Sequence, residues 1–349
     1  MDKLRQHQAL RFAATLALAA GGGWLATALH LPLPWVLGSM AGVTLISLAG
    51  QVAQQPGWAR RGAQMAIGTA LGLYFTPQVV AQVSDLVPWI VLGATFALVL
   101  SVLGARVMQR MTGFDGPTAI YSVALGASAE MTIQAQHAGA DGAMVASSHA
   151  VRIILVTSLA SLIAGFSGVA PGYAPLGLPL LPIWMLLALI PTVLTAAVML
   201  NKLKVPNAWV LGPMLVTGIC AYFGLIGRLP MAVLVIAQIA IGWNLGQNLT
   251  RRFFTRAPRV VASAALVTLG ILALCFSLAA LIAHHTGLPQ LTAFLSLAPG
   301  GMGEMGVLAK SFGLAAPVVT AFHLTRILCT IFLTRPLAHW MLASGWVRH

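Results

Sequence analysis

Residues 206–214 of this chain are Pro-Asn-Ala-Trp-Val-Leu-Gly-Pro-Met, and residues 32–40 are Pro-Leu-Pro-Trp-Val-Leu-Gly-Ser-Met. The same offset of 174 positions aligns the chain with itself, without a gap, from Pro32 to about Ile153. Several residue types that are rare in this chain fall in that one register, which chance matching of a leucine-rich sequence does not produce. The aligned pairs include Gln64 with Gln238, Glu130 with Glu304, His149 with His323, and Arg152 with Arg326. The sequence therefore predicts two copies of one module, residues 1–174 and residues 175–349.

The composition indicates whether this protein lies in water or in a lipid bilayer. Apolar residues make up 59% of the chain and charged residues only 7%, whereas a soluble globular protein has about 25% charged residues. Apolar stretches of about 20 residues, the length that crosses a bilayer, recur along the chain. Examples are Phe12–Leu29, Val87–Val107, Val145–Phe166 and Val260–Ala283. The pattern predicts an all-α integral membrane protein whose main partner is the lipid bilayer.

The net charge of +13 comes from 19 Lys and Arg residues against 6 acids. These cations lie in short segments between apolar stretches, where they set membrane topology and contact anionic headgroups. No polar segment is long enough to form a basic domain outside the membrane, so we expect no nucleic-acid partner. The three cysteines lie in apolar runs without metal-ligand spacing, and their odd number argues against a disulfide framework.

One segment in each copy is interrupted. In the first copy it covers residues 116–139, where small and polar residues at Gly126–Glu130 separate two stretches that are each too short to cross a bilayer. The corresponding break in the second copy is Pro299–Glu304. One interpretation is a kinked spanning helix, and the other is a re-entrant hairpin with the break at its tip. Paired breaks at matching positions of two halves are typical of transporter binding sites.

The distribution of cations predicts opposite orientations for the two copies. In the first copy they cluster at the N-terminus, at Arg60-Arg61 and around Arg106, whereas in the second they cluster at Lys202 and between Arg251 and Arg259. These positions fall in alternate loops, so the positive-inside rule places the second copy upside down. Inversion requires an odd number of crossings per copy. We therefore expect inverted repeats with about ten spanning helices plus two re-entrant hairpins, and both termini in the cytoplasm. Arg228 is an exception to this charge pattern.

The chain contains only two glutamates, Glu130 and Glu304, and they occupy equivalent positions in the two breaks. An ionisable group at membrane depth is costly and normally faces a partner or a wet cavity. One hypothesis is that each glutamate forms a buried ion pair that fixes its hairpin to the neighbouring helix. The other is that the glutamates also serve as handles for a proton or a substrate.

The predicted partners of the glutamates lie on the helix that follows each break. His149 and Arg152 are three residues apart, as are His323 and Arg326, so each pair shares a helix face. The histidines could titrate near neutral pH or could act as packed hydrogen-bonding groups. We consider these four residues, with the two glutamates, candidates for substrate binding or ion coupling.

The hairpin tips favour a small anionic solute. Half-helix N-termini at a tip direct partial positive charge into the membrane, and glycines leave backbone amides accessible. The predicted tip residues are Gly126, Ser128, Pro299, Gly300, Gly301 and Gly303. Further polar residues that could line a pathway are Gln64, Gln238 and Asn244, which lie on helices with glycine pairs. We expect those glycines to serve close helix packing.

Three motifs of the second copy resemble the bacterial membrane family called AbrB. They are Trp209–Met214, Ala298–Met305 and the His323-x-x-Arg326 motif. The resemblance implies a membrane module present in two copies, and the family carries labels such as regulator of gene expression and ammonia monooxygenase. The first copy departs from the pattern, because Leu125–Glu130 lacks the Pro-Gly-Gly start of the second tip.

These features favour a multi-pass secondary transporter of the inner membrane, with a midplane site at the repeat interface and one helix bundle rocking against the other. The alternative is a membrane-embedded regulator or sensor that binds a ligand without moving it. A membrane-bound monooxygenase ranks third, because the sequence has no His/Glu cluster for copper or iron. We expect no enzymatic activity, catalytic residue, metal or cofactor, and a homo-oligomer remains open.

Overall fold

The computed structural model describes residues 2–31, 33–167, 179–205, 207–251 and 258–348. Over these ranges the chain forms fifteen helices and one isolated bridge, between Leu180 and Arg228. The helices of the first half are α1 (Asp2–Ala28), α2 (Pro34–Leu48), α3 (Gly57–Gly72), α4 (Pro77–Asp85), α5 (Val87–Thr112), α6 (Gly116–Val123), α7 (Ser128–His137) and α8 (Gly142–Phe166). Those of the second half are α9 (Ile183–Lys202), α10 (Ala208–Tyr222), α11 (Met231–Gly246), α12 (Pro258–Thr286), α13 (Gln290–Leu297), α14 (Met302–Ser311) and α15 (Ala316–Ala343).

Six of these helices are long and apolar enough to cross a membrane, namely α1, α5, α8, α9, α12 and α15. Three more, α2, α10 and α11, are apolar but have only 15 or 16 residues. The prediction of an all-α, multi-pass membrane protein is therefore confirmed. The total of about ten crossings and the inverted orientation remain predictions.

The break predicted in each copy is present. Two short helices, α6 and α7, replace one long helix in the first copy, and α13 and α14 do so in the second. The first pair doubles back, because the Asp141 amide just after α7 donates to Thr118 Oγ1 at the start of α6, over 2.9 Å. Buried Tyr121 of α6 and Met131 of α7 belong to one apolar cluster. The segment 116–139 is thus a hairpin and not a kinked rod.

Both broken segments end at a matching glycine. Gly139 follows α7 with φ +77°, and Gly313 follows α14 with φ +63°. Only glycine adopts this left-handed conformation without strain, so the glycine ends the second half-helix and turns the chain.

The helices group into two compact units. Unit 1 contains Met1–Val79, Ser161–Arg256 and Lys310–Gly313, and unit 2 contains Val80–Ala160, Ala257–Ala309 and Leu314–His349. Each unit thus takes helices from both predicted copies. The boundary between residues 174 and 175 is a property of the sequence repeat, and it stays a prediction.

Glycines in unit 1 bring helices of the two halves into backbone contact. A Cβ atom on Gly68 of α3 would overlap the Val210 carbonyl of α10, and one on Gly242 of α11 would overlap the Val36 carbonyl of α2. Gly68 is aligned with Gly242, and Val36 is aligned with Val210. The second contact is therefore the first one with the two halves exchanged. Such reciprocity is typical of two modules related by a two-fold axis. It also confirms close packing as a role for these glycines.

In unit 2, the last residues of the chain pack on the start of the first hairpin. Trp346 Nε1 donates to the Val102 carbonyl of α5 over 3.1 Å, and the guanidinium of Arg106 lies 4.7 Å from the centre of the Trp346 ring. Buried Ala119 and Ile120 of α6 belong to the same apolar cluster as Val347. This packing fixes the base of α6 and so helps to position the hairpin tip.

Candidate functional site

Each hairpin tip begins where a short helix ends inside the protein. Helix α6 stops at Val123 because Ala124 adopts an extended conformation (φ −51°, ψ 123°), and α13 stops at Leu297 because Ala298 does the same (φ −55°, ψ 134°). The last carbonyl groups of a helix lack intrahelical donors. Buried carbonyls without donors are costly, so the tips need hydrogen-bond donors from elsewhere.

In the first copy, His149 and Arg152 of α8 supply those donors. His149 Nε2 bonds to the Tyr121 carbonyl over 2.8 Å. Arg152 donates from one terminal nitrogen to the Ala124 carbonyl over 2.8 Å and from the other toward the Gly126 carbonyl over 3.4 Å. The pair therefore caps the C-terminal end of α6, where a cation is also favoured by the helix dipole.

In the second copy, His323 and Arg326 of α15 make the equivalent contacts. His323 Nε2 bonds to the Leu295 carbonyl over 2.8 Å, and Arg326 donates to the Ala298 carbonyl over 2.8 Å and to the Gly300 carbonyl over 3.1 Å. Each of these three acceptors lies 174 positions beyond its counterpart, and Arg326 also donates to the Leu297 carbonyl over 3.4 Å. The repeat detected in the sequence thus extends to individual hydrogen bonds, and we call each His–Arg pair with its carbonyls a tip clamp.

The geometry of the tip clamp assigns the histidine tautomer. A carbonyl only accepts, so Nε2 of His149 carries the proton, and Nδ1 accepts from Arg152 over 2.9 Å. His323 has the same arrangement with Arg326, over 3.4 Å. Both imidazoles are therefore neutral links between a guanidinium and a helix end, which is the packed hydrogen-bonding role considered from the sequence.

The two arginines form the charged centre of unit 2. Arg152 is 5% exposed and Arg326 is 4% exposed, and the two guanidinium groups are close enough to interact electrostatically. Their hydrogen bonds described above go to neutral carbonyls and histidines, and the Nε atom of each is buried without a hydrogen-bond partner. Two positive charges this close to each other favour an anion nearby. Ion pairs of Arg152 with Glu130 and of Arg326 with Glu304 stay a prediction.

Both glutamates occupy the first turn of the second half-helix. Glu130 is the third residue of α7 and Glu304 the third residue of α14. The carboxylate of Glu304 folds back over the helix start, because a Cβ atom on Gly301 would overlap Glu304 Oε2. A carboxylate at this position is stabilised by the exposed amides and the dipole of the helix. This capping position was not predicted from the sequence, although the Gly-x-x-Glu spacing before a helix could have indicated it.

The predicted tip residues shape the clamp. Gly126 and Gly300 provide a clamped carbonyl in each tip, and a Cβ atom on Gly300 would lie only 2.8 Å from Cε of Met305. Ser128 is the first residue of α7, and Gly303 lies in the first turn of α14.

The two tips differ in how one backbone position is satisfied, and Ser101 and Cys275, which take part in this difference, were not predicted from the sequence. In the first copy the Leu125 amide donates to Ser101 Oγ of α5 over 3.2 Å. In the second copy the corresponding residues are Pro299 and Cys275. Since proline has no amide hydrogen, no hydroxyl is needed opposite it. The serine and the proline are therefore two solutions for the same buried backbone position.

The predicted lining residues lie in unit 1, whereas the tip clamps and both glutamates lie in unit 2. Gln238 is 3% exposed, and the Asn244 side-chain oxygen accepts from Gln247 over 3.1 Å. A lining role for Gln64, Gln238 and Asn244 stays a prediction. Among the described residues, no three His, Cys, Asp or Glu side chains group as metal ligands would.

Comparisons with known proteins agree with the resemblance noted from the motifs. The family model described as "Transition state regulatory protein AbrB" matches residues 2–74 and 35–342. A protein of Escherichia coli (strain K12), named "Putative regulator AbrB", is 27% identical over 326 residues that cover 92% of each chain. A protein of Bacillus subtilis (strain 168), named "Uncharacterized protein YhjN", is 24% identical over 349 residues, covering 92% of this chain and 90% of the relative.

Proposed function

This chain belongs to the AbrB family of membrane proteins, and from that premise we propose that it is a secondary transporter for a small anionic solute. The observation that carries the proposal is the pair of tip clamps, which place two buried arginines within electrostatic range of each other in unit 2. The solute would bind at the two tips, with Arg152 and Arg326 providing the attractive charge.

The charge and the hydrogen-bonding geometry support an anion. A buried guanidinium retains its charge and binds planar oxyanions through paired donors. The clamps occupy the terminal nitrogens with carbonyls, and both Nε atoms retain an unused donor. The start of α14, rich in glycine from Gly300 to Gly303, adds the positive end of a helix dipole.

Glu304 provides a route to ion coupling in this proposal. Its carboxylate occupies the helix start that an anionic solute would also seek, so the two compete for one positive helix end. A proton on Glu304 would remove that competition, and release of the proton would favour release of the solute. Glu130 occupies the same position in the first copy, which makes a coupled pair of sites.

The fold supplies the parts that alternating access requires. Broken helices at matching positions and two compact units that each take helices from both halves are typical of secondary transporters. The cation distribution supports an inner-membrane location with both termini in the cytoplasm.

A metabolite comparison followed by flux measurements tests the proposal. Cells that lack the protein and cells that overproduce it should differ in the level of at least one small anion, and proteoliposomes should transport that anion. Glu304→Gln should abolish the flux while leaving expression intact. Asp85→Asn, at an exposed carboxylate at the end of α4 in the same unit, should leave it unchanged. Equal flux through the Glu304→Gln variant and the wild type would remove Glu304 from the site.

A membrane-embedded regulator is the second candidate function, favoured by the name of the Escherichia coli relative. It would bind the same class of ligand at the tips and act on a partner through the basic loops around Arg60-Arg61 and Arg251. Changes in a transcriptional reporter without any solute flux in proteoliposomes would favour this candidate over transport.

A further inference from the structure

The two broken segments differ in how their second half-helices are held. In the first copy, the Asp141 amide just after α7 donates to Thr118 Oγ1 of α6 over 2.9 Å. The carboxylate of Asp141 also accepts from the amides of Ala143 and Met144 at the start of α8, over 2.9 and 3.2 Å. We call the hydrogen bond between Asp141 and Thr118 the base staple. It ties the end of α7 to both α6 and α8.

A second set of contacts holds α7 along its side. Gln134 Nε2 donates to the Ile331 carbonyl of α15 over 3.2 Å, and the Ile331 side chain packs against the buried apolar cluster that joins α6 to α7. At the tip, a Cβ atom on Gly126 would lie 3.1 Å from Cγ2 of Thr330. The first hairpin is thus packed against α15, the helix that carries the tip clamp of the second copy.

The structure describes the aligned positions of the second copy, and neither hydrogen bond recurs there. Thr292 is aligned with Thr118, and its hydroxyl is fully buried without a hydrogen-bond partner. Leu308 is aligned with Gln134 and has no side-chain donor. A buried hydroxyl without a partner is costly. This packing therefore stabilises α14 less than the base staple and Gln134 stabilise α7.

The residues that flank α14 show the same difference. Before the helix, Pro299 has no amide hydrogen, whereas the aligned Leu125 amide donates to Ser101 over 3.2 Å. At the end of the helix, the Lys310 ammonium nitrogen lies 5.2 Å from the centre of the Tyr74 ring, and both residues belong to unit 1. A cation–π contact is attractive across the face of the ring, so it lacks the fixed direction of a hydrogen bond. The contacts at both ends of α14 therefore permit a shift that the hydrogen bonds of α7 resist.

We propose that α14 is the gate of the candidate site and that α7 is its fixed wall. The gate carries Glu304 and follows the glycine-rich tip, so its movement opens and closes the second half of the site. Thr118 and Gln134 are positioning residues, because they hold the first half in place. The assignment of a gate rests on the proposed transport function, whereas the difference in mobility between α7 and α14 does not.

Hydrogen–deuterium exchange of the full-length protein in nanodiscs measures this difference. Because a helix amide exchanges when the helix opens locally, we expect lower protection factors in α14 than in α7. Thr118→Val removes the acceptor of the base staple and should speed exchange across α7 about two- to ten-fold, the effect of losing one hydrogen bond. Thr292→Val at the aligned position is the matched control. It should leave exchange in α14 unchanged, because that hydroxyl has no partner to lose.

Two further variants separate a positioning role from a general loss of stability. Thr118→Ser keeps the hydroxyl and should retain the wild-type protection of α7. Gln134→Leu introduces the residue of the second copy and should speed exchange in α7 by a similar factor, so it replaces Thr118→Val if that variant does not fold. Both effects should be confined to the first hairpin, with α14 unchanged. Size-exclusion profiles identify the folded variants.

Inorganic sulfate and acetate serve as probe anions for the gate. Either anion, when bound at the tips, should slow exchange in α14 and leave α7 unchanged. Equal protection factors of α7 and α14 in the wild type, or equal effects of Thr118→Val and Thr292→Val, would overturn the gate and leave the transport proposal standing. A clear difference between α7 and α14 without any response to either anion would instead overturn the anion site and, with it, the gate.

Discussion

Replacement of Arg326 by methionine tests whether the tip clamp holds the second hairpin. Methionine keeps much of the length and the apolar stem of the side chain but removes every donor. The carbonyls of Ala298 and Gly300, now bonded over 2.8 and 3.1 Å, would lose their arginine donor. The Ala298 carbonyl keeps the Gly300 amide as a donor over 2.9 Å, so only the Gly300 carbonyl is left without its partner. A buried polar group without a partner costs about 1–3 kcal/mol, and the loss of a hydrogen bond to a charged group costs about 1.5–3 kcal/mol, which together give about 2.5–6 kcal/mol.

Removal of the buried charge returns part of that loss, because a guanidinium is itself expensive to bury. We therefore expect Arg326→Met to lower the free energy of unfolding by about 2–4 kcal/mol. Arg259→Met is the matched control, since Arg259 lies exposed at the start of α12 in the same unit. Its effect should stay within about 0.5 kcal/mol.

Two measurements check this prediction. Denaturation by sodium dodecyl sulfate in mixed micelles gives the difference in unfolding free energy. Maleimide labelling of Cys275 reports on the tip, because this thiol is buried and faces the Leu297 carbonyl over 3.5 Å. With the other two cysteines replaced by alanine, Arg326→Met should label faster than the wild type. Equal stability of the Arg326→Met and Arg259→Met variants, together with a protected Cys275, would refute the clamp.

The remaining predictions concern packing in unit 1 and the tip of the first copy. Gly68→Ala should lower stability by about 1–3 kcal/mol, because its Cβ would overlap the partner backbone; Gly62→Ala on the same helix meets open space and should cost nothing in the same micelle titration. Ser101→Ala should lower the free energy of unfolding by about 1–3 kcal/mol, because the Leu125 amide loses its acceptor. Cys275→Ala should lower the free energy of unfolding by less than Ser101→Ala does, because Pro299 of the second copy has no amide hydrogen to donate. The opposite order would argue against the hydrogen bond between the Leu125 amide and Ser101.

Much of the fold could be predicted from the sequence, because the hydrophobicity of each stretch indicates whether it lies in lipid or in water. Long apolar runs gave the spanning helices, and the two clusters of small residues gave the broken helices. The amphipathic helix α4, Pro77–Asp85, was missed, because nine residues of mixed polarity carry little periodic signal.

The candidate site was predicted in part. The sequence indicated Arg152, Arg326 and the two histidines as a functional unit, because the same charged residues recur in apolar helices. Glutamates were predicted as partners of the arginines, since opposite charges are the obvious pairing in a list of residues. Those pairs stay a prediction, and the structure adds hydrogen bonds from the arginines to helix carbonyls, which were not predicted. Every residue has a backbone carbonyl, so residue types do not indicate which carbonyls accept hydrogen bonds from the arginines.

The sequence by itself determined that this is an all-α membrane protein and where two of its helices are interrupted, and it predicted that one module occurs twice. Only the tertiary structure decided which helices group together, with each unit taking helices from both halves, and which atoms the buried arginines contact. The physical reason is that hydrophobicity and helix breaks are properties of neighbouring residues. Grouping and contact depend instead on surfaces that meet only after distant segments have packed.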